Sequence, residues 1–395
     1  MALALGNLDP PSAPEIAYDR DLAERNAVIV GAGIGGLAAA IALHHRGWNI
    51  KVLERAPALR EVGAGISLWP NATRALDLLG VGDQVRAFST PEGPGGFRDH
   101  HGRWLFRSTL QTPYGETLML RRPTLLDILR KAVPANAIVL STTVASVENS
   151  GGQVTVTHDD GVQTSADLLV GADGLHSTVR AALWPHAKPP VYAGYTTWRL
   201  IAPPTDLDSD VTESWGRGER VGIFRLADNA IYSYLTAKTP AGTTFPDNRA
   251  ELCRRFAHWH APIPAILNSV TNSDILQHDI YRLPALRTYV TGRAALLGDA
   301  AHAMTPDLGQ GGGTALEDAV ELAEALDGDI DDGLVLYNRR RRPRTQAIAR
   351  QSATFGAFAQ ASGPLTVPLR NTATRLLPER LFLRANQSML TWRSK

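Results

Sequence analysis

The chain has 395 residues, which is enough for roughly two to three structural units of ordinary domain size. Its 40 Lys and Arg residues nearly cancel its 39 Asp and Glu residues, so the overall charge favours neither nucleic acid nor an anionic membrane as a partner. Cys253 is the only cysteine, which excludes an internal disulfide framework and a thiolate metal cluster, and we expect no metal site. The longest apolar run, residues 31–43, is shorter than the ~20 residues that span a bilayer. We therefore expect a cytoplasmic protein with no transmembrane segment.

The N-terminal half begins with a segment of low order and continues with a strand, a helix and a strand. Residues 1–24 contain three prolines and show no periodicity, which is typical of a loose leader. Residues 27–30 predict a short buried strand, 34–45 a helix, and 49–53 a second strand. This order predicts a βαβ unit.

The pattern changes in the middle of the chain and returns to helix near the end. Between residues 191 and 281 the sequence favours strands, for example at 222–226 and 231–235. Helical periodicity returns at 314–326 and continues through 331–360. The strand-rich block therefore looks like a second domain inserted into the first.

A glycine-rich turn lies between the first strand and the first helix, where residues 31–36 read GAGIGG. Gly31 allows a tight bend, Gly33 lets the backbone approach a pyrophosphate, and Gly36 lets the helix pack on the strand. The N-terminus of the helix attracts the anion, and Glu54, at the end of the second strand, is placed to bind a ribose diol. The turn predicts a dinucleotide; the alternative is a glycine-rich turn with an unrelated surface glutamate.

A second acidic signal lies late in the chain, where Asp299 follows an apolar strand. A carboxylate in this position can hold a ribityl hydroxyl, and the glycines of 309–313 would let backbone N–H groups reach a flat ring. Thr314 and Glu317 have the spacing of a capping box, so we expect a helix to begin there. The alternative is a plain capped helix after a flexible loop. Together with the run GADG at 171–174, these signals narrow the dinucleotide to FAD.

Four segments resemble the single-component FAD-dependent aromatic monooxygenases, a group that includes salicylate hydroxylases, kynurenine 3-monooxygenases, zeaxanthin epoxidases and urate hydroxylases. The segments are 31–36 with Glu54 and Arg55, 61–72 (EVGAGISLWPNA), 169–180 (LVGADGLHSTVR) and 298–306 (GDAAHAMTP). They occur in family order and spacing, and the likeness covers roughly residues 27 to 344. The pattern and the resemblance together predict an α/β fold class: a Rossmann-like FAD-binding domain with an inserted, mainly antiparallel β-sheet substrate domain and C-terminal helices. The expected division is a leader at 1–24, a discontinuous FAD-binding domain at 25–95, 116–190 and 285–340, a substrate domain at 96–115 and 191–284, and a C-terminal helical segment at 341–395.

The resemblance also implies which residues bind the cofactor. These are Gly31, Gly33, Gly35, Gly36, Glu54, Arg55, Ser67, Arg122, Val144, Asp173, Asp299, Gly309, Gln310, Gly311, Gly312 and Gly313. Pro306 would lie beside the reactive edge of the flavin. Asp307 departs from the family, because many members have Asn at this position.

On the substrate side, the resemblance to the urate-hydroxylase branch implies that Arg220 and Tyr232 hold substrate. Thr197 replaces a polar amide of that branch, which disfavours urate itself. The alternative for Arg220 and Tyr232 is simple packing of the sheet, in which case Arg199, Arg225 or Tyr234 become the candidates.

The resemblance implies a reaction in which NAD(P)H reduces FAD and the reduced flavin forms a hydroperoxide with O2. The terminal oxygen then hydroxylates or epoxidises an electron-rich aromatic, heteroaromatic or polyene small molecule. The sequence contains no second Gly-x-Gly-x-x-Gly turn, so NAD(P)H is expected to dock transiently. The alternatives are an FAD-dependent reductase or dehydrogenase on the same scaffold, and a non-catalytic FAD-binding protein. We expect a monomer or a dimer.

An arginine run and an apolar C-terminal segment could each bind a partner. Arg339 to Arg342 with Arg344 could form a nucleic-acid patch, but a solvated helix face is the expected interpretation. Residues 365–392 are apolar enough to dock on a partner or a membrane, and packing against their own domain is the expected arrangement.

Overall fold

The computed structural model describes residues 25–59, 64–93, 95–108, 114–207 and 211–394. The predicted leader, 1–24, lies outside the described residues. The strands are β1 (Asn26–Val30), β2 (Asn49–Leu53), β3 (Gly65–Leu68), β4 (Thr90–Pro91), β5 (Gly95–Asp99), β6 (Trp104–Arg107), β7 (Leu118–Arg121), β8 (Ile138–Val139), β9 (Val144–Ser150), β10 (Gln153–His158), β11 (Gln163–Ala166), β12 (Leu168–Gly171), β13 (Val191–Ala202), β14 (Val211–Trp215), β15 (Glu219–Arg225), β16 (Ile231–Ala237), β17 (Leu276–Arg282), β18 (Val290–Thr291) and β19 (Ala294–Leu296). The α-helices are α1 (Ile34–His44), α2 (Pro70–Leu78), α3 (Gly82–Ala87), α4 (Arg122–Ala132), α5 (Thr178–Leu183), α6 (Asn248–Phe256), α7 (Ile263–Asn268), α8 (Asp299–His302), α9 (Gly311–Ala325), α10 (Ile330–Ala359), α11 (Thr366–Arg375) and α12 (Glu379–Leu390).

The first layer is a six-stranded sheet with the order β18-β19-β12-β1-β2-β8. Its strands are parallel except for the β18–β19 pair. The central strands are continuous apolar runs because both faces of the sheet are covered. The predicted βαβ unit is β1, α1 and β2. Since the strands β1, β2, β12 and β19 are parallel, the segments that follow them meet at one edge of the sheet, which is where ligands bind in such folds.

The second large layer is a seven-stranded sheet with the order β17-β13-β16-β15-β14-β5-β6. It is antiparallel apart from the β14–β5 pair, and it is built from residues 95–107 and 191–282. One face packs on α6 and α7 through an apolar core that includes Trp198, Ile223 and Phe256. The strand-rich pattern did not indicate these two helices. The other face of the sheet is turned toward the edge of the first sheet.

The C-terminal helices begin differently from the prediction. Helix α9 starts at Gly311, three residues before Thr314, and the Thr314 hydroxyl donates to the Gln310 carbonyl at 2.9 Å. The predicted capping box is therefore wrong, because Thr314 and Glu317 both lie inside the helix and are buried. Helix α10 is continuous from Ile330 to Ala359, so the expected boundary at residue 340 falls inside one helix.

The arginine run on α10 does not form the solvated face that we expected. Arg341 is only 1% exposed and pairs with Glu317 at 2.7 Å and Asp318 at 2.6 Å. Arg344 also pairs with Glu317. The expectation is wrong at these two positions because α9 buries two carboxylates, and a buried charge requires a charged partner. The helix face is instead a packing surface between α9 and α10.

The C-terminal tail packs partly against the rest of the molecule. Met389 and Leu390 pack with Ile348, and Trp392 joins the main core. Leu365 and Leu376 remain exposed. Among the helices of the described ranges, none is both long and apolar enough to cross a membrane.

Candidate active site

A cavity of about 1480 Å³ lies between the strand-end edge of the first sheet and the open face of the second. Eleven of the predicted site residues line it, namely Gly33, Gly35, Ser67, Arg122, Arg220, Tyr232, Asp299, Pro306, Gly309, Gly311 and Gly312. The other eight do not line it, namely Gly31, Gly36, Glu54, Arg55, Val144, Asp173, Gln310 and Gly313. The cavity therefore has a glycine-rich wall, formed by the loops after the strands, and a wall of side chains, formed by the seven-stranded sheet.

The glycines of the turn at residues 31–36 serve different structural purposes. Gly31 has φ +102°, and a Cβ there would lie 2.5 Å from the carbonyl oxygen of Ala172. A Cβ on Gly36 would overlap the carbonyl oxygen of Gly31, so this glycine permits close packing of α1 on β1. At Gly33 a Cβ would have no atom of the described residues within 4 Å apart from its chain neighbours, although the residue lines the cavity. Gly33 thus leaves its backbone open to whatever the cavity binds.

The acidic residue after β2 is fixed beside this turn. The Glu54 carboxylate accepts hydrogen bonds from the backbone N–H groups of Ala32 at 2.8 Å and Ala56 at 2.9 Å. The N–H of Thr142 donates to the Glu54 carbonyl, which brings the loop before Val144 to the same place. Arg55 is exposed and Val144 is buried. These residues form a cluster at the end of the first sheet, outside the lining of the cavity.

Asp173 caps a helix. One of its carboxylate oxygens accepts from the N–H groups of Thr178 at 2.7 Å and Val179 at 3.1 Å, at the start of α5. The other carboxylate oxygen, Oδ1, is buried with no hydrogen-bond partner among the described residues. The next residue, Gly174, has φ +77° and lines the cavity. Asp173 therefore shapes the loop and keeps one oxygen available.

The loop that carries Asp299 is positioned by a buried network of charged side chains. Asp299 is exposed toward the cavity at the start of α8. Gly298, with φ +56°, donates its N–H to the Asp318 carboxylate at 3.0 Å, and the same carboxylate is bonded to the imidazole of His302 and to Arg341. Burial by itself would raise the pKa of Asp318, but the charges of His302 and Arg341 outweigh it and lower the pKa to about 2. Asp318 is thus ionised and positions the loop.

The glycine-rich segment before α9 divides between the cavity and the protein interior. Gly311 and Gly312 line the cavity, and the N-terminus of the 15-residue helix α9 opens there. Gln310 is buried and accepts from Asn71 Nδ2 at 3.0 Å, while its own Nε2 has no partner within the described part of the chain. A Cβ on Gly313 would meet the Asn71 amide. The only side chain of this segment, Gln310, therefore faces Asn71, and the backbone of Gly311 and Gly312 faces the cavity.

The wall of side chains contains a buried group of four charged or polar residues. Arg220 is only 2% exposed, and it donates to Glu213 at 3.0 Å and to Asp307 at 2.5 Å. The hydroxyl of Tyr195 donates to the other oxygen of Asp307 at 3.0 Å. Burial lowers the pKa of Arg220, but the two carboxylates outweigh it and raise the pKa above its usual value. Asp307, the departure from the family pattern, is thus the partner of Arg220 and ties the Pro306 loop to the sheet.

Tyr232 lies on the same face of the sheet as Arg220, farther along the paired strands. β15 and β16 pair in antiparallel fashion, with Arg220 opposite Thr236 and Tyr232 opposite Phe224. Burial raises the pKa of Tyr232, and the charge and hydrogen bond of Arg199 oppose the shift. A Cβ on Gly65 would lie 2.5 Å from the Tyr232 ring, so the ring also packs closely on β3. Arg220 and Tyr232 face one cavity without meeting each other.

Comparisons with known proteins agree with this geometry. A model of the family described as FAD binding domain matches residues 24–352. The chain belongs to this family. Aurachin C monooxygenase/isomerase from Stigmatella aurantiaca is 37% identical over 359 residues, which cover 89% of this chain and 94% of that protein. The 2-heptyl-3-hydroxy-4(1H)-quinolone synthase of Pseudomonas aeruginosa is 33% identical over 375 residues, which cover 92% and 97%. The crystal structure of Klebsiella pneumoniae HpxO with FAD and uric acid matches with a TM-score of 0.86 and 28% identity, covering 93% and 96%.

Membership in the FAD binding domain family confirms the predicted cofactor, fold class and enzyme class, because its members similar to this chain are FAD-dependent monooxygenases and hydroxylases. The glycine-rich wall fits FAD on its own evidence. Within the described part of the chain, a Cβ on Gly33 or Gly311 would meet no atom outside its own turn or helix, and two helix N-termini open near this wall. Helix N-termini favour anionic groups, and open backbone permits close contact with a flat ring.

Two residues that shape the cavity were not indicated by the sequence patterns. Asp318 lies in an apolar helical run next to Glu317. Two adjacent carboxylates in such a run indicate that buried cationic partners are present. Glu92 lines the cavity beside Ser67, whose hydroxyl donates to its carboxylate. Burial raises the pKa of Glu92 to about 7, and the Ser67 hydrogen bond opposes this only in part. No local pattern in the sequence marked Glu92.

Proposed function

We propose that the chain uses NAD(P)H and O2 to add one oxygen atom to an electron-rich aromatic or heteroaromatic small molecule, in the cytoplasm. The observation that carries the proposal is the cavity itself. Its glycine-rich wall suits FAD, and its opposite wall presents tyrosine and arginine side chains to the same space. The two walls meet at Pro306 and Asp307, so a ring bound under the sheet would lie against the cofactor.

The relatives support a ring-shaped, nitrogen-containing substrate. One is named for a 4(1H)-quinolone product, and another was solved with uric acid. Tyr232 and Tyr234 offer hydroxyl groups and aromatic faces on the wall of the cavity, and Phe224 lies between them with ring centroids 5.8 Å from each. Aromatic side chains bind ring-shaped ligands by stacked or edge-to-face contacts. This wall therefore suits a heteroaromatic ring.

The residues of the chain would bind, orient and shield the substrate. When FAD is bound, it supplies the chemistry that activates dioxygen with electrons from NAD(P)H. Arg220 holds Asp307 and the adjoining Pro306 loop against the sheet. Tyr232 and Arg199 line the cavity and are hydrogen-bonded to each other, so they would offer polar contacts to the ring, and the buried side chains around them would exclude water. Gly33, Gly35, Asp299, Gly311 and Gly312 would contact FAD from the opposite wall.

The test uses purified protein loaded with FAD. Consumption of NADPH and NADH is measured with 4(1H)-quinolones and with uric acid, and products are analysed by mass. We expect a ring compound to stimulate consumption and to gain one oxygen atom. Stimulated consumption without an oxygenated product, under conditions that retain substrate binding, would indicate a reductase. An FAD-loaded protein that consumes no NAD(P)H with any ring compound would indicate a non-catalytic role.

A further inference from the structure

A second part of the cavity extends away from the glycine-rich wall and toward the C-terminal helices. We call it the apolar arm and define it by Phe97, Phe106, Trp215, Phe355, Phe382 and Met389, all of which line the cavity. These residues come from β5, β6, β14, α10 and α12, so five elements of the fold combine to form it. Phe97, Phe106 and Trp215 belong to the seven-stranded sheet, so the apolar arm continues the side-chain wall toward α10 and α12.

The apolar arm is enclosed mainly by aromatic rings in contact with one another. Phe97 stacks on Trp215 with a ring-centroid distance of 4.5 Å, and Phe106 lies 5.0 Å from Phe382. Phe355 completes the group at 6.0 Å from Phe97. Because the rings hold one another, the wall has a defined shape with little freedom to collapse into the space.

The charged residues of the cavity lie on its sheet side and not on its C-terminal side. Arg220 and Glu213 line the space as a buried ion pair where the apolar arm begins, opposite Trp215 and Phe97 on the neighbouring strands. Among the described residues after position 350, those that line the cavity include no Asp, Glu, Lys or Arg. The polar residues on that side, such as Thr354 and Asn386, are uncharged. The described C-terminal side of the cavity is therefore apolar or uncharged, unlike the sheet side.

We propose that the apolar arm binds a hydrocarbon tail attached to the ring of the substrate. This inference rests on the proposed function, in which the ring lies against the cofactor. The volume of about 1480 Å³ exceeds the roughly 300 to 1,000 Å³ of an ordinary small-molecule site, so one cavity can hold the cofactor ring, a substrate ring and a tail. Each methylene that leaves water for an apolar wall strengthens binding by up to about fourfold. Selectivity for a long tail is the consequence.

The test compares two tryptophan substitutions on α12. Leu383 lines the cavity, whereas Leu381 is 54% exposed and is not part of the lining. Leu383→Trp narrows the apolar arm, and Leu381→Trp makes the same chemical change outside it. Dissociation constants are measured calorimetrically on FAD-loaded protein for 2-methyl-4(1H)-quinolone, 2-heptyl-4(1H)-quinolone and 1-nonanol, the last being a tail without a ring.

In the parent protein, the heptyl compound should bind at least about 30-fold more tightly than the methyl compound. Leu383→Trp should weaken binding of the heptyl compound and nonanol by at least tenfold and change binding of the methyl compound by less than twofold. Leu381→Trp should change none of them by more than about twofold. Equal binding of the two quinolones by the parent, or equal losses in both variants, would overturn the inference.

A second variant covers the case in which Leu383→Trp does not fold. Met389→Ala lengthens the apolar arm, so the preferred tail in a series of 1-alkanols should become longer by at least two carbons. An unchanged preference would count against the apolar arm. Failure of the proposed function would look different. In that case no ring compound would yield an oxygenated product, while nonanol would still bind with the expected dependence on Leu383.

Discussion

The two walls of the cavity are built on different principles. The glycine-rich wall presents backbone, and its shape follows from short turns such as 31–36 and 309–313, where each glycine acts on atoms nearby. The opposite wall presents side chains whose charges are satisfied by distant partners. Arg220 and Asp307 are 87 positions apart in the sequence, yet they form one of the most buried ion pairs of the described structure.

The difference shows how each wall depends on the rest of the fold. A turn that needs glycine is specified locally, so the glycine-rich wall tolerates little change at fixed positions. A buried ion pair is specified by two separate elements meeting, and removal of one partner leaves the other charged in a place without water. Changes in the first wall should therefore act mainly on FAD, and changes in the second on stability as well.

The largest effect should separate two glycines of the same turn. Gly36→Ala should prevent stable folding, at a cost above about 4 kcal/mol, because its Cβ would overlap the Gly31 carbonyl. Gly33→Ala should leave the thermal midpoint of the FAD-free protein unchanged and reduce FAD affinity by one to two decades, about 1.4 to 2.7 kcal/mol. Thermal unfolding and FAD titration check both. Parental FAD affinity in Gly33→Ala would show that the cofactor approaches the wall elsewhere.

The next effect should come from the ion pair of the opposite wall. Arg220→Ala leaves Glu213 and Asp307 buried without their cation and should destabilise the protein by about 3 to 5 kcal/mol. Arg225→Ala, at the partly exposed end of the same strand, is the matched control and should cost much less. Chemical denaturation of the FAD-free proteins measures both. Equal stability of the parent and Arg220→Ala would mean that Arg220 serves the substrate alone.

The same contrast explains what the sequence could predict. The βαβ unit and the first turn followed from local patterns, since glycine, apolar runs and a terminal acid have short-range causes. The pairing of β15 with β16 was also predictable, because the two apolar strands are separated only by a short turn. The three motifs together predicted FAD, and the family resemblance added the enzyme class; the comparisons confirm both.

The remainder depended on contacts between distant segments. Arg341 was expected on a solvated face because it lies in a run of arginines. The sequence does not show that α9 places Glu317 and Asp318 against this run. Thr314 was expected at a helix start because its spacing to Glu317 matches a cap, yet the three preceding glycines are helical. In both cases tertiary packing overrode a local signal. The individual site residues stay predictions until variants are measured.

A smaller effect should distinguish Asp299 from its surroundings. Asp299→Ala should lower FAD affinity by one to two decades, about 1 to 3 kcal/mol, because donors of the bound cofactor lose their acceptor. The carboxylate is exposed to the cavity, so stability of the FAD-free protein should change by less than about 0.5 kcal/mol. Asp83→Ala, at a fully exposed carboxylate on α3, serves as the control. FAD retention equal to that of the parent would remove Asp299 from the cofactor site.

The last effect should be a dependence of stability on pH that originates at Glu92, the cavity residue directly after β4. The pKa of Glu92 is raised from 4.5 to about 7 in the folded protein, so the folded state binds more protons than the unfolded state between these values. Its contribution to stability is therefore complete below about pH 4.5 and is lost as the pH rises through about 7. Unfolding free energies of the FAD-free parent should fall by about 3 kcal/mol from this group over that range, because one pKa unit corresponds to about 1.4 kcal/mol. Glu92→Gln should remove this slope, and Glu116→Gln, at a cavity residue paired with Arg86, should keep it. If the dependence of stability on pH persists in Glu92→Gln, another carboxyl group is its source, and Glu92 is ionised in the folded protein.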